Sequence, residues 1–166
     1  MTQFKAYGQA IIKTHIKISK VVDGDGIIVV NIFNKEEEEI RFLGIDAPEI
    51  KNSRKLQQDE RETHLPGELL ISFGLKAKAF LNTIAPVGTS VTILMEKANA
   101  IDPYGRTLGY AFLADGTCLN EIMITEGFAK PFSKYYCKAL PLYQQLYAVA
   151  KSERKGLFAY DFYHKF

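Results

Sequence analysis

Cysteine is scarce in this chain: only Cys118 and Cys137 occur among 166 residues. Two are too few for a disulfide framework, and their spacing fits no zinc motif. Buried free thiols are the expectation, with a single disulfide left open if the chain is exported. Histidine is equally thin. His15, His64 and His164 stand far apart, so the paired-histidine spacing of a zinc site is missing, and a Ser-His-Asp arrangement cannot be argued. A glycine-rich loop with a following lysine is absent, which argues against nucleoside triphosphate chemistry. No apolar run approaches the roughly 20 residues that span a bilayer, so membrane insertion is not expected. Residues 1–8 show neither a long apolar stretch nor a small-residue cleavage site. The expected compartment is secreted or periplasmic if a signal peptide has been removed, and cytoplasmic otherwise.

A strong charge bias is also missing, since the net charge is only +2. The distribution is more informative than the sum. Residues 130–166 hold seven basic and two acidic side chains, a net +5, which leaves the rest at −3. Six of the nine tyrosines fall in the same segment: Tyr135, Tyr136, Tyr143, Tyr147, Tyr160 and Tyr163. Basic residues interleaved with aromatic ones suit phosphates and stacked bases. A solvated helix with core aromatics gives the same composition. With 47% hydrophobic and 24% charged residues, the chain reads as one globular domain over residues 1–166, expected to be a monomer.

Partial alternation predicts a strand over residues 9–22, a β-branched apolar run a second over 27–33, and clear alternation another over 90–95; strands are also expected over 36–45 and 107–113. Asp23-Gly24-Asp25-Gly26 is a turn signal. Helical spacing predicts helices over 68–84, 119–126 and 140–152, with Gly127 closing the second and Pro141 in the first turn of the third. Residues 51–66 are polar with little periodicity and read as a long exposed loop. Three strands, a helix, two strands and further helices predict an α+β, mainly β fold: a five-stranded OB-fold Greek-key barrel with about three helices. A generic α+β sandwich is the rival arrangement.

Three groups of residues carry candidate chemistry. In Val22-Asp23-Gly24-Asp25, two carboxylates flank a glycine; calcium favours several hard oxygen ligands on a bendable backbone, although Asp-Gly-Asp is also a common turn. In the stretch from Ile40 to Glu49, Arg41, Leu43 and Ile45 share one face if the strand is regular, while Asp46 and Glu49 lie at and beyond its end. An arginine fork can bind two phosphoryl oxygens, and a carboxylate can orient or deprotonate a water. A bare ion pair between Arg41 and a neighbouring acid is the plainer reading. In Asp102-Pro103-Tyr104-Gly105-Arg106, a turn places a second arginine at a strand start.

In this order, Val-Asp-Gly-Asp, Ile-Arg-Phe-Leu-Gly-Ile-Asp-Ala-Pro-Glu, Asp-Pro-Tyr-Gly-Arg and Leu-Asn-Glu…Glu-Gly-Phe-Ala-Lys resemble the staphylococcal nuclease (thermonuclease-like) family. The likeness covers about residues 17–130, and Lys155-Gly156-Leu157-Phe158 is similar to the family's closing motif. The resemblance implies a five-stranded OB-fold barrel with three helices. It implies a single calcium ion held by Asp25, Asp46 and the backbone carbonyl of Ala47, with Arg41 and Arg106 on the scissile phosphate. Glu49 would act as general base or position the water, and Tyr104 would line the nucleotide pocket. The implied substrate is DNA or RNA, with single strands and open ends preferred, and the implied products end in 3′-phosphate. Gly26 and Ala47 stand where the family usually has threonine, and the stretch between Glu49 and Glu68 is longer than in familiar members. Phe132, Tyr135 and Tyr136 follow Lys130 where the family carries stacking tyrosines. The alternative is a non-catalytic nucleic-acid-binding OB module, because a fold does not imply an activity. Asp25, Arg41, Asp46, Glu49 and Arg106 are all present, which argues against a degenerate member.

Overall fold

The alternating N-terminal segments are realised as antiparallel strands that curl into a barrel. A computed structural model of the chain describes residues 10–134, 136–161 and 163. Strand β1 (Ala10–Asp23) pairs with β2 (Gly26–Asn31), and β2 with β3 (Glu37–Phe42). Strands β5 (Ser90–Glu96) and β6 (Thr107–Leu113) form a second antiparallel pair. The barrel closes in the order β1-β2-β3-β6-β5. Its seams are an antiparallel β1–β5 ladder and a short parallel β3–β6 ladder, in which Ile40 faces Thr107 and Phe42 faces Gly109. Register shifts along β1, one of them around His15 at φ 59°, bend this long strand so that it serves two neighbours.

The expected OB-type barrel is therefore present, with one addition and one break. The expected loop over residues 51–66 contains a helix, α1 (Arg54–Thr63), which makes four α-helices among the described residues rather than about three. Ser53 caps its N-terminus by accepting the Leu56 N–H at 3.0 Å, and His64 ends it in the left-handed conformation. The expected third strand does not run on to residue 45. It stops at Phe42, Gly44 turns at φ 82°, and Ile45–Asp46 (β4) pairs instead with Lys130–Pro131 (β7). A Cβ on Gly44 would also lie 2.8 Å from the Cys137 Sγ, so this sharp turn suits glycine alone. The first residue of the strand expected over 9–22 lies outside the described residues.

Helix α2 (Gly67–Ile84) buries Leu70, Phe73, Gly74, Ala77 and Leu81. The barrel core includes Ile18, Ile27, Val29, Ile40, Phe42, Ile93 and Tyr110. Helices α3 (Leu119–Thr125) and α4 (Leu140–Ser152) cover it through Leu119, Met123, Ile124 and Tyr143. A second cluster joins Leu56 of α1 to Leu65, Leu70, Phe73, Leu157, Phe158 and Tyr163. Truncating any one of these large side chains to alanine should cost about 2–5 kcal/mol.

The C-terminal tyrosines divide accordingly. Tyr143 and Tyr163 are buried, and Tyr147 packs on the second cluster, whereas Tyr136 and Tyr160 are exposed; Tyr135 lies outside the described residues. Three of the five described tyrosines of this segment thus belong to the core. Cys118 and Cys137 are buried free thiols. No helix among the described residues is long and apolar enough to cross a membrane.

Candidate active site

The β1–β2 turn, the end of β3, β4 and the turn before β6 open onto one cleft of about 380 Å³. Asp25, Arg41, Asp46, Glu49, Tyr104 and Arg106 all line it. The sequence-predicted side chains thus converge, although they come from four separate segments. Ala47 does not line this cleft, but its N–H donates to the Asp25 carboxylate.

Each position has a local cause. The tight Asp23–Gly26 pairing ends the first hairpin, and the Asp25 carbonyl accepts the Phe42 N–H at 2.8 Å. This turns the Asp25 carboxylate inward, where Oδ2 accepts the Ala47 N–H at 2.8 Å and meets Arg41 Nη1 at 3.2 Å. Arg41 also donates to the carbonyls of Phe42 (3.2 Å) and Ile45 (3.0 Å), and its Nη2 lies 3.5 Å from Asp46 Oδ1. The chain break after Phe42 makes this possible, because a straight strand would point the Ile45 carbonyl away from the guanidinium. Pairing with Lys130 in β7 holds Asp46 in place.

Two further devices fix the surroundings. Asn120, fully buried, donates to the carbonyls of Leu43 (2.9 Å) and Gly109 (3.1 Å) and accepts from Ala111 N (3.0 Å). It ties α3 to both sides of the parallel seam beside the cleft. Gly74 lets α2 approach the segment that carries Glu49, since a Cβ there would sit 2.3 Å from the Glu49 carbonyl.

Arg106 is oriented by its own turn. Asp102 accepts the N–H groups of Tyr104 (2.9 Å) and Arg106 (2.8 Å) through Oδ1, and Arg106 Nε through Oδ2 at 2.7 Å. The Arg106 guanidinium carbon lies 5.7 Å from the Tyr104 ring centroid. Tyr104 itself is 84% exposed at the mouth of the cleft, placed where it can stack on a base. On the inner side Phe132 lies 5.7 Å from the Arg41 guanidinium carbon.

The charges are strongly coupled. Burial opposes ionisation of Asp25, yet Arg41, a hydrogen bond with Asp23, Lys55 and the Ala47 N–H together hold it below the usual carboxylate range. Its neighbour Asp23 goes the other way: burial first, then the Asp25 charge and the shared hydrogen bond, push it up to about 8. Arg41 is desolvated but held charged by Asp25 and Asp46.

One residue of this cluster was not singled out by the sequence. Lys55, in the first turn of α1, sends its ammonium to the Asp46 carboxylate, to Glu49 Oε1 at 3.1 Å and to the Ala47 carbonyl at 3.4 Å. Nothing in the polar stretch around it distinguishes this lysine from a solvated one. The Ser53 cap signal was the available hint that the stretch is helical. Among the described residues no three His, Cys, Asp or Glu side chains are grouped as a metal centre. Arg41 bridges the Asp25 and Asp46 carboxylates, and Lys55 bridges Asp46 and the Ala47 carbonyl.

A closed five-stranded OB-type barrel here joins buried acids and two arginines at its rim, side chains of the kind that can bind a phosphate. Residues 39–160 match the family described as Staphylococcal nuclease homologue, and the chain belongs to that family. Arg41, Asp46, Ala47, Glu49, Tyr104 and Arg106 lie inside the matched stretch, and Asp25 precedes it. The chain is 30% identical over 143 residues to Endonuclease YhcR of Bacillus subtilis, covering 84% of this chain and 11% of that protein. It is 27% identical over 145 residues to an uncharacterised endonuclease of Escherichia coli O157:H7, covering 87% and 77%. An uncharacterised protein of Methanocaldococcus jannaschii is 32% identical over 122 residues, covering 70% of this chain and 58% of its own length. The chain thus spans a small part of the first of these relatives and about three fifths of the archaeal one.

Proposed function

We propose that residues 1–166 form one nuclease domain that hydrolyses phosphodiester bonds of DNA or RNA with calcium, leaving 3′-phosphate ends. The observation that carries this reading is the convergence of Arg41, Arg106 and Glu49 with Asp25 and Asp46 in one cleft. Family membership and the endonuclease names of two relatives support it.

The donor set fits a hard cation in kind: two buried carboxylates and a peptide oxygen, already balanced by positive charge from Arg41 and Lys55. Asp25, Asp46 and the Ala47 carbonyl would hold the ion. A bound calcium would neutralise phosphoryl charge and polarise the phosphorus.

The remaining work falls to the chain. Arg41, rigidly held by two backbone carbonyls, presents its fork to the non-bridging oxygens, where charge grows as water attacks. Arg106, steadied by Asp102, clamps the same phosphate from the opposite rim. Glu49 orients the attacking water or takes its proton. Tyr104 stacks on the adjoining base, which favours single strands and open ends, where bases are unstacked.

Gel-monitored cleavage of single-stranded DNA and RNA, with calcium or a chelator, tests the reading. Cleavage that needs calcium supports it. Folded protein that binds the strand without cutting it at any calcium level would instead make this chain a nucleic-acid-binding module.

A further inference from the structure

The Lys55 ammonium rests on the same atoms assigned to the ion and the water. Its contacts are the Asp46 carboxylate, the Ala47 carbonyl at 3.4 Å and Glu49 Oε1 at 3.1 Å. An ammonium has three donors and no acceptor, and here three oxygens surround it. Burial disfavours its charge, but Asp46, Asp25 and Glu49 together raise its pKa above the ordinary lysine value, so it stays charged.

Its backbone is well anchored. Ser53 caps α1, and Leu56, the next residue, is only 2% exposed in the second core cluster. The side chain is not so confined. It is 36% exposed, and its flexible stem can carry the ammonium outward.

A calcium ion would need Asp46 and Ala47 oxygens at about 2.3–2.6 Å. An ammonium within hydrogen-bond reach of those oxygens would then face a divalent charge only a few ångströms away. The two cations exclude each other.

We infer that Lys55 is a tethered counter-cation that competes with the divalent ion for Asp46 and Ala47 and, while seated, occupies the Glu49 carboxylate. This inference rests on the calcium reading above. In the resting protein Lys55 offsets the acidic charge of the rim and occupies Glu49 Oε1. Loading the ion displaces the lysine and frees Glu49 in the same movement. Lys55 thereby sets the affinity for the ion, through the acids it touches rather than through the substrate.

Calorimetric titration of calcium chloride into the metal-free full chain tests this at fixed pH and ionic strength. Lys55→Met keeps the apolar stem and removes the charge; Lys55→Arg keeps the charge. The methionine variant is expected to bind calcium at least tenfold more tightly than the unsubstituted chain, and the arginine variant no more tightly. Equal or weaker binding by Lys55→Met overturns the inference while leaving the calcium reading intact. An absence of binding by all three proteins overturns both. A second measurement uses the unsubstituted chain and depends on no variant's folding. Acetylation of Lys55 by an amine-reactive ester, read by mass spectrometry, should rise when calcium is added. Unchanged or reduced labelling overturns the displacement.

Discussion

The Lys55 ammonium and the Glu49 carboxylate lie 3.1 Å apart, although one belongs to the first turn of α1 and the other to the segment after β4. The contact joins the residue assigned to water activation to a helix that the sequence pattern does not announce. Both ends can be examined by substitution.

Glu49→Gln keeps the shape of the side chain and removes its basicity. Cleavage should slow by about two to four orders of magnitude, while the melting temperature and the affinity for a single strand stay close to those of the parent. Single-turnover cleavage beside a strand-binding titration checks this. Undiminished turnover would remove Glu49 from the chemistry.

Arg41 is bound into the fold and is also proposed to hold the phosphate, so two substitutions separate the roles. Arg41→Ala leaves Asp25 and Asp46 buried without their shared cation, and the loss of one member of such a cluster costs about 3–5 kcal/mol. Urea denaturation should register it. Arg41→Lys restores a charge without the planar fork, and should recover part of the stability but little of the turnover.

Asn120→Ala should lower stability by about 3 kcal/mol, because Leu43 O and Ala111 N lose their buried partner while Gly109 O still accepts from Leu43 N. The same substitution loosens the seam beside the cleft, so turnover should fall more than strand binding does. Equal stability in denaturant would mean that water replaces the amide.

Alkaline pH should destabilise the fold. Burial pushes the Cys118 thiol from 9.0 up to about 11, and raises the Tyr110, Tyr143 and Tyr163 phenols from 10.0. These groups stay neutral in the folded chain while the unfolded chain ionises first. Their contribution is complete below pH 9 and is lost as pH rises from 9 toward 11 and beyond. Denaturation midpoints taken from pH 7 to 11 check the direction. Thiol labelling at pH 8 should be slow in the native protein and should reach both cysteines after unfolding.

The barrel was legible because period-two alternation survives in β5 and in part of β1 and because β2 is a β-branched apolar run, and α2 because a single apolar face runs through Phe73, Ala77 and Leu81. Helix α1 escaped notice because its one buried residue is Leu56; one apolar anchor makes no periodicity. The break after Phe42 was hidden since Leu43 and Ile45 are both apolar, as a continuing strand would also require. Of the site, the acids and arginines were readable from residue type and order. Lys55 was not, because its role comes from α1 folding back onto β4, a tertiary contact that leaves no local mark. Asp102 was visible in its turn, but its hold on Arg106 Nε depends on the backbone bringing the two side chains round.

The parallel seam carries a further consequence. Strands β1, β2 and β3 are neighbours in sequence and can pair as soon as they exist, but the outer edge of β3 must wait for β6, and the Asn120 tie to Leu43 spans 77 residues. Closing so distant a contact is slow relative to hairpin formation. During that interval Ile40 and Phe42 lie on an unsatisfied edge that another chain can extend as readily as β6 can. The recovery of native protein after denaturation should therefore fall as protein concentration rises, a vulnerability of the assembling molecule that its finished, edgeless barrel no longer shows.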